Sequence, residues 1–196
     1  MKSIYLDGCS MIYGQYLPEN KTLNHLFSND GGYHVKDNSR PGKSNISIAL
    51  DVHNNFKNYD IVIVGFTYSS RFGLEFDGHN LDLFAGYHGK KIGSNKENAE
   101  DVSESFLNLY KYFYLLSDTP YLNKLSDMIA DHTMGFLHSQ NKKVVGITWE
   151  GRKTINELYR PCFQPEFYLD DGHLNEGGTF KLYNIIQNFL DEQQQQ

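Results

Sequence analysis

The chain has 196 residues, 39% of them hydrophobic, and 24 acidic against 18 basic side chains give a formal net charge of −6. That length supports one domain with a sizeable core, and the composition excludes a disordered or membrane-embedded chain. Basic residues form only short pairs such as Lys90-Lys91 and Lys142-Lys143, not the stripe a polyanion requires, so no nucleic-acid partner is expected.

Two cysteines, Cys9 and Cys162, do not make a disulfide framework, and reduced thiols in a cytosol are the expectation. The N-terminus turns polar too soon for a signal peptide, and no apolar run is long enough to span a bilayer. A cytoplasmic protein without membrane contact is therefore expected.

In chain order, Ile4 to Leu6 predicts a first strand that breaks into Gly8-Cys9-Ser10. A helix or loop follows through Met11 to Phe27. Asn29 to Gly32 is a turn by residue type, and Gly32 to Val35 a short second strand. The polar loop Asn38 to Asn45 ends in helix-start chemistry, where Ser44 or Asn45 caps a helix carrying Ile46, Ala49, Leu50 and Phe56.

Asp60 to Gly65 is the clearest strand, its β-branched run that of a strand buried on both faces. From Gly73 to Asn98 the chain is rich in Gly, Asn, Asp and His, which reads as a long irregular insertion. Phe106, Leu109, Tyr110 and Phe113 recur at helical spacing. So do Leu122, Leu125, Ile129, His132 and Phe136, behind Pro120 and a cap at Asp118 or Thr119. Lys143 to Trp149 is another buried strand. A turn from Gly172 to Gly178 leads into a last helix presenting Leu182, Ile186, Phe189 and Leu190.

Strands alternating with helices predict an α/β fold, a three-layer α/β/α sandwich on a mainly parallel, flavodoxin-like sheet. One domain over 1–192 is expected, with a disordered Gln tail at 193–196.

Ligands of such sheets bind outside the carboxyl ends of the strands. Ser10, Gly42, Thr67 and Trp149-Glu150 each follow a strand, and Asp170, Asp171 and His173 precede the last helix. A serine hydroxyl needs a base to take its proton, and an imidazole needs a carboxylate to orient it. Asp170-Asp171-Gly172-His173 offers both in one turn, and a three-residue back-step favours Asp170 over Asp171. The backbone N–H groups of Ser10 and Gly42 are candidate donors to a developing oxyanion. Cys9 reads as a small packing residue. The spacing of the remaining histidines matches no zinc site, so no metal is expected.

Gly8-Cys9-Ser10, Arg40-Pro41-Gly42-Lys43-Ser44-Asn45, the Ile61-Val62-Ile63-Val64-Gly65 strand and Asp170-Asp171-Gly172-His173, in that order, resemble the blocks of the GDSL/SGNH hydrolase superfamily. This Gly-Cys-Ser form of the first block resembles a subgroup of bacterial and phage proteins. The resemblance covers about Ile4 to Leu190. It implies a flavodoxin-like α/β/α fold and a serine hydrolase acting on esters without metal or cofactor. Acyl or O-acetyl esters, including those on carbohydrate, are the implied substrates.

Carried onto this chain, the resemblance makes Ser10 the nucleophile, His173 the base and Asp170 its orienting acid. Ser10, Gly42 and Thr67 become the oxyanion donors. The sequence departs from the pattern at Cys9, where the family commonly has Asp, and at Thr67, where it has a side-chain amide. Arg71 is a candidate substrate contact for an anionic or sugar group. A non-catalytic binding or structural module on the same fold is the alternative. A phosphate binder using Gly42-Lys43-Ser44 is a third reading, although the earlier Gly of a P-loop is missing.

Overall fold

Residues 61–64 read Ile-Val-Ile-Val, and a strand made of them needs apolar cover on both faces. The computed structural model describes residues 1–69, 71–76, 79–84, 120–150 and 158–192, of which 72–76 and 79–84 are described by their backbone. Strands β1 (Ser3–Gly8), β2 (His34–Asp37), β3 (Ile61–Phe66) and β6 (Lys143–Thr148) form a parallel sheet in the order β2-β1-β3-β6. A parallel bridge from Ile147 to Tyr159 extends it beyond β6. Strands β4 (Arg71–Phe76) and β5 (His79–Phe84) pair separately as an antiparallel hairpin.

The helices divide between the two faces, as the strand periodicity requires. Ile4, Leu6, Ile61 and Ile63 point to the side of α1 (Ser10–Tyr13), α2 (Leu23–His25) and α5 (Glu176–Glu192), where Ile12, Leu23, Leu182 and Ile186 meet them. Tyr5, Val62, Val64 and Phe66 point to the side of α3 (Asn45–Asn55) and α4 (Pro120–Ser139), against Ile48, Val52, Ala130 and Met134. The result is a three-layer α/β/α sandwich. Each fully buried Val, Leu or Ile contributes about 1.5–3 kcal/mol, so the two apolar layers dominate the favourable side of folding. No helix among the described residues is long and apolar enough to cross a membrane.

The structure differs from the sequence-based expectations in four places of the fold, the first being α5, where Leu182, Ile186 and Leu190 are buried but Phe189 is exposed. Ser44 caps α3, its hydroxyl accepting from the Ser47 N–H at 3.2 Å, but the helix buries Ile48 and Val52 while Leu50 is exposed. Polar Asn45 and Ser47 also face inward, so the buried stripe is rotated from the one that apolar spacing alone selects. In α4 the buried stripe runs through Leu122, Ala130, Met134 and Leu137, while Leu125, Ile129 and Phe136 flank it half-buried. In the span read as an irregular insertion, 73–76 and 79–84 are strand. The rest of that insertion, the helix expected at Phe106 to Phe113, the Asp118 or Thr119 cap and the 193–196 tail lie outside the described residues.

Gly8 and Gly65 are paired in register at the carboxyl end of the sheet. Ile12 of α1 sits directly over them. A Cβ added to Gly65 would lie 2.2 Å from Ile12 Cγ1, and one added to Gly8 would lie 2.6 Å from the same atom. The glycines thus let α1 settle onto the sheet immediately after β1. Gly65→Ala is expected to destabilise by about 1–3 kcal/mol, as overpacking of a tight core does. In urea unfolding, adding Ile12→Ala should recover part of that loss, and strictly additive costs would show that the contact is not limiting.

Candidate active site

β1 ends at Gly8, and extended Cys9 turns the chain into the single turn of α1. The Cys9 carbonyl accepts from the N–H groups of Ile12 and Tyr13, both at 3.0 Å. Cys9 is fully buried in the core, which makes it a packing residue. Ser10 follows it, 2% exposed, at the carboxyl edge of the sheet. Its strand lies between β2 and β3, so the loops carrying Gly42 and Thr67 leave the sheet on either side of it.

His173 comes from the opposite end of the chain. Its turn is tied at both flanks: Leu169 N–H donates to the His173 carbonyl at 2.7 Å, and Asn175 N–H to the Phe167 carbonyl at 3.0 Å. Gly172 occupies φ +85°, a conformation that side chains rarely adopt. Asn175 then caps α5, its Oδ1 accepting from the Gly178 N–H at 3.0 Å. Gly178 in turn lets the helix approach the Phe167 carbonyl, which an added Cβ would meet at 2.3 Å.

This turn sets His173 Nε2 2.9 Å from Ser10 Oγ. On the other side of the ring, Nδ1 lies 3.0 Å from Asp171 Oδ2, a close polar approach without well-aligned hydrogen-bond geometry. Asp171 Oδ1 also accepts from the His173 backbone N–H at 3.1 Å. That hydrogen bond, with the ring beside it, holds the Asp171 carboxyl below the usual carboxylate range. The back-step of three residues points to Asp170, but the structure brings Asp171 to the ring. Asp170 is exposed in the turn and makes no hydrogen bond or ion pair with His173. A hydroxyl, an imidazole and a carboxylate in this order are what general-base activation of a serine requires.

Gly42 adopts φ +77°, so glycine is needed there. Its loop runs along the end of β1, with Asn38 N–H donating to the Leu6 carbonyl at 2.8 Å and Arg40 N–H to the Gly8 carbonyl at 3.1 Å. Among the described residues nothing accepts from the Gly42 N–H. Thr67 is fully buried, and its peptide is clamped by Asn45. The Thr67 N–H donates to Asn45 Oδ1 at 2.7 Å, and Asn45 Nδ2 donates to the Thr67 carbonyl at 3.0 Å. Asn45 Nδ2 also reaches Ser126 Oγ at 2.6 Å. Asn45, legible in the sequence only as an alternative helix cap, is thus the residue that fixes the exit of β3.

Arg71 is not brought to Ser10 or His173. Its guanidinium lies over the Tyr68 ring at 5.9 Å and borders a small cavity with Asn45, Ser69 and Ser126 between α3 and α4. Next to it, Ser69 N–H donates to Glu150 Oε2 at 2.9 Å, joining the exits of β3 and β6. Among the described residues no three His, Cys, Asp or Glu side chains gather as a metal site would need.

Beneath the Gly42 loop lies a buried ion cluster that sequence reading missed. Lys43 Nζ contacts Asp7 Oδ1, with both side chains fully buried, and reaches Asp51 Oδ2 at 2.6 Å. It also donates to the Asn38 carbonyl at 3.1 Å. Asp7 Oδ2 accepts from Tyr5 Oη at 2.9 Å and from Asn38 Nδ2 at 3.3 Å. A lysine spent in this way has no ammonium to offer a phosphate, which removes the physical basis of a Gly42-Lys43-Ser44 phosphate loop. Burial pushes the Asp7 carboxyl up to about 6, with Lys43 opposing and the nearby Asp51 carboxylate adding to the rise.

No protein-family model matches the sequence, and no curated protein matches it. Solved structures of similar shape include the psychrotrophic esterase EstA from Pseudoalteromonas sp., 8% identical over 100% of both chains with a TM-score of 0.49. A family 3 carbohydrate esterase from Clostridium thermocellum is 14% identical over 95% of this chain and 94% of that one, with a TM-score of 0.43. A member of the lipolytic protein G-D-S-L family from Veillonella parvula is 10% identical over 90% of this chain and 91% of that one, with a TM-score of 0.37.

Two outcomes follow from the ion cluster. Lys43→Met leaves Asp7 buried without its cation and is expected to cost about 3–5 kcal/mol in denaturant unfolding. Asp7→Asn in the same chain should reduce that loss, and equal losses in the single and double variants would count against the pairing. The second outcome concerns pH. A raised native pKa means that between about pH 4 and 6 the folded chain holds a proton that the unfolded chain has released. The Asp7 contribution to stability therefore grows as pH falls through that window. Relative to Asp7→Asn, the wild type should gain on the order of 2 kcal/mol between pH 7 and 4.5. A flat difference would show that the ion pair, not burial, sets the titration.

Proposed function

We propose that this chain is a serine hydrolase of the SGNH type that cleaves a small acyl or O-acetyl ester, esters on carbohydrate included. The observation that carries the reading is the 2.9 Å approach of Ser10 Oγ to His173 Nε2, with Asp171 on the far side of the ring. For Nε2 to accept the serine proton, Nδ1 must carry the ring hydrogen, and the Asp171 carboxylate beside it favours that tautomer.

In this mechanism the Ser10 proton passes to Nε2 as Oγ bonds to the ester carbonyl carbon. The carbonyl π electrons move to its oxygen, and the backbone N–H groups of Ser10 and Gly42 donate to the resulting oxyanion. Among the described residues the Ser10 N–H, a donor of the first helical turn, and the Gly42 N–H have no backbone acceptor. The Thr67 hydroxyl stands where the family pattern has an amide, as a third donor. Collapse of the oxyanion expels the alcohol oxygen, which takes the proton from Nε2. Water then gives a proton to Nε2 and attacks the acyl-enzyme. Its collapse returns that proton to Ser10 and releases the acid.

Wild-type protein should hydrolyse a short-chain aryl ester, and a fluorophosphonate should label Ser10. Ser10→Ala and His173→Ala should each lower kcat by about 10⁴-fold or more. Asp171→Asn should lower it by about 10²-fold or more, and Asp170→Asn should leave it within about threefold. Absence of both labelling and turnover in folded protein would remove the reading. Equal losses from the two aspartates would remove only the assignment of the acid.

A further inference from the structure

Tyr16 and Asn141 are the non-glycine residues with positive φ among the described residues. Asn tolerates the left-handed region through its short polar side chain, but Tyr does not. Tyr16 holds φ +72° at a cost of roughly 1 kcal/mol or more, and its side chain recovers little by burial, since the residue is 67% exposed. Burial does not account for a strained backbone that presents a mostly exposed aromatic ring.

The place of the ring supplies a reason. The Ser10 carbonyl accepts from the N–H groups of both Gly14 and Gln15 at 3.1 Å, and Gly14, at φ +75°, ends α1. The same short segment therefore fixes the Ser10 hydroxyl and the Tyr16 ring. That ring stands edge-to-face with the His173 imidazole, with centroids 5.5 Å apart and planes at 86°. In the cleavage above, the imidazole hands its proton to the departing alcohol oxygen, so the alcohol half of the ester must lie against the His173 side of the site. The carbonyl oxygen faces the donors at Ser10 and Gly42, and the acyl chain takes the remaining direction, away from the leaving alcohol.

We infer that Tyr16 is a specificity-determining residue for the alcohol half of the ester. Its exposed ring forms a platform for the apolar face of a sugar whose acylated hydroxyl is the leaving group. A flat, amphipathic, two-torsion side chain suits that task, because it offers contact area at low entropy cost. The inference rests on the hydrolase reading of Ser10 and His173 and adds the substrate class of that same site.

The test compares two ester series in the full-length chain. In one, acetyl is held constant and the alcohol runs from ethyl to the hydroxyl of a methyl xyloside. In the other, the xyloside is held constant and the acyl group runs from acetyl to hexanoyl. Tyr16→Ala is expected to lower kcat/KM for the acetylated xyloside about tenfold or more, mainly through KM, and for ethyl acetate by less than about threefold. Discrimination among acyl groups should not change, and Tyr16→Phe should keep the wild-type preference. Tyr16→Gly should lose the preference while keeping or raising Tm, because glycine adopts this φ without strain. Equal losses on every ester would make the ring a support for the imidazole and overturn the inference, as would a change confined to the acyl series. In either case Ser10-dependent turnover would remain, so the hydrolase reading would stand. Loss of turnover and labelling in the wild type would end both.

Discussion

The contact on which the rest of this structure depends is the buried approach of Lys43 to Asp7. Neither side chain has access to water. An isolated charge in that position would cost several kcal/mol, so each group requires the other to be in place. Asp7 is the last side-chain-bearing residue of β1 before the turn to Ser10, and Lys43 is the neighbour of Gly42. The pair therefore locks the loop of one candidate oxyanion donor to the strand that delivers the hydroxyl. Asp51 on α3 joins the same ammonium, so the first helix of the α3–α4 layer is fixed to the same point.

Around that lock the sheet edge is built from close approaches. Gly8 and Gly65 are bare so that Ile12 can sit on the paired strands. Asn45 clamps the peptide of Thr67 from both sides. Each arrangement uses a residue with little or no intrinsic stabilising value to bring a backbone segment into a defined position. Each is also polar or empty at a location where apolar patterning would place a large side chain. The carboxyl edge of the sheet is thus specified by exceptions to the pattern that specifies its centre.

That contrast explains what was legible in the sequence. β3 and β6 were readable because β-branched runs have few alternatives to a doubly covered strand, and the fold class followed from them. The buried face of α3 was not readable, because Asn45 and Ser47 turn inward for hydrogen bonds while Leu50 is left outside. The β4–β5 hairpin was hidden by a Gly-, Asn- and Asp-rich composition, although Phe72, Leu74 and Phe76 alternate in the manner of a strand. Ser10, His173 and Gly42 stood out by local chemistry. Lys43 was legible only as a phosphate-loop residue, because its partners Asp7 and Asp51 meet it only in space. Asp171, not Asp170, lies beside the His173 ring, in a turn where Gly172 takes φ +85°, and residue spacing does not contain that backbone geometry.

Ser10 and His173 are 163 residues apart in the chain. Asp171 sits within the same turn as His173, so that carboxylate and the imidazole reach the sheet edge together, whereas Ser10 arrives from the exit of β1. Pairing of β2, β1 and β3 alone leaves Ser10 without that imidazole beside it. Only the docking of α5, the last described element, brings the imidazole across. The Ser10–His173 contact therefore reports closure of the last core layer, since a local opening of α5 would part the two side chains while the sheet stays paired.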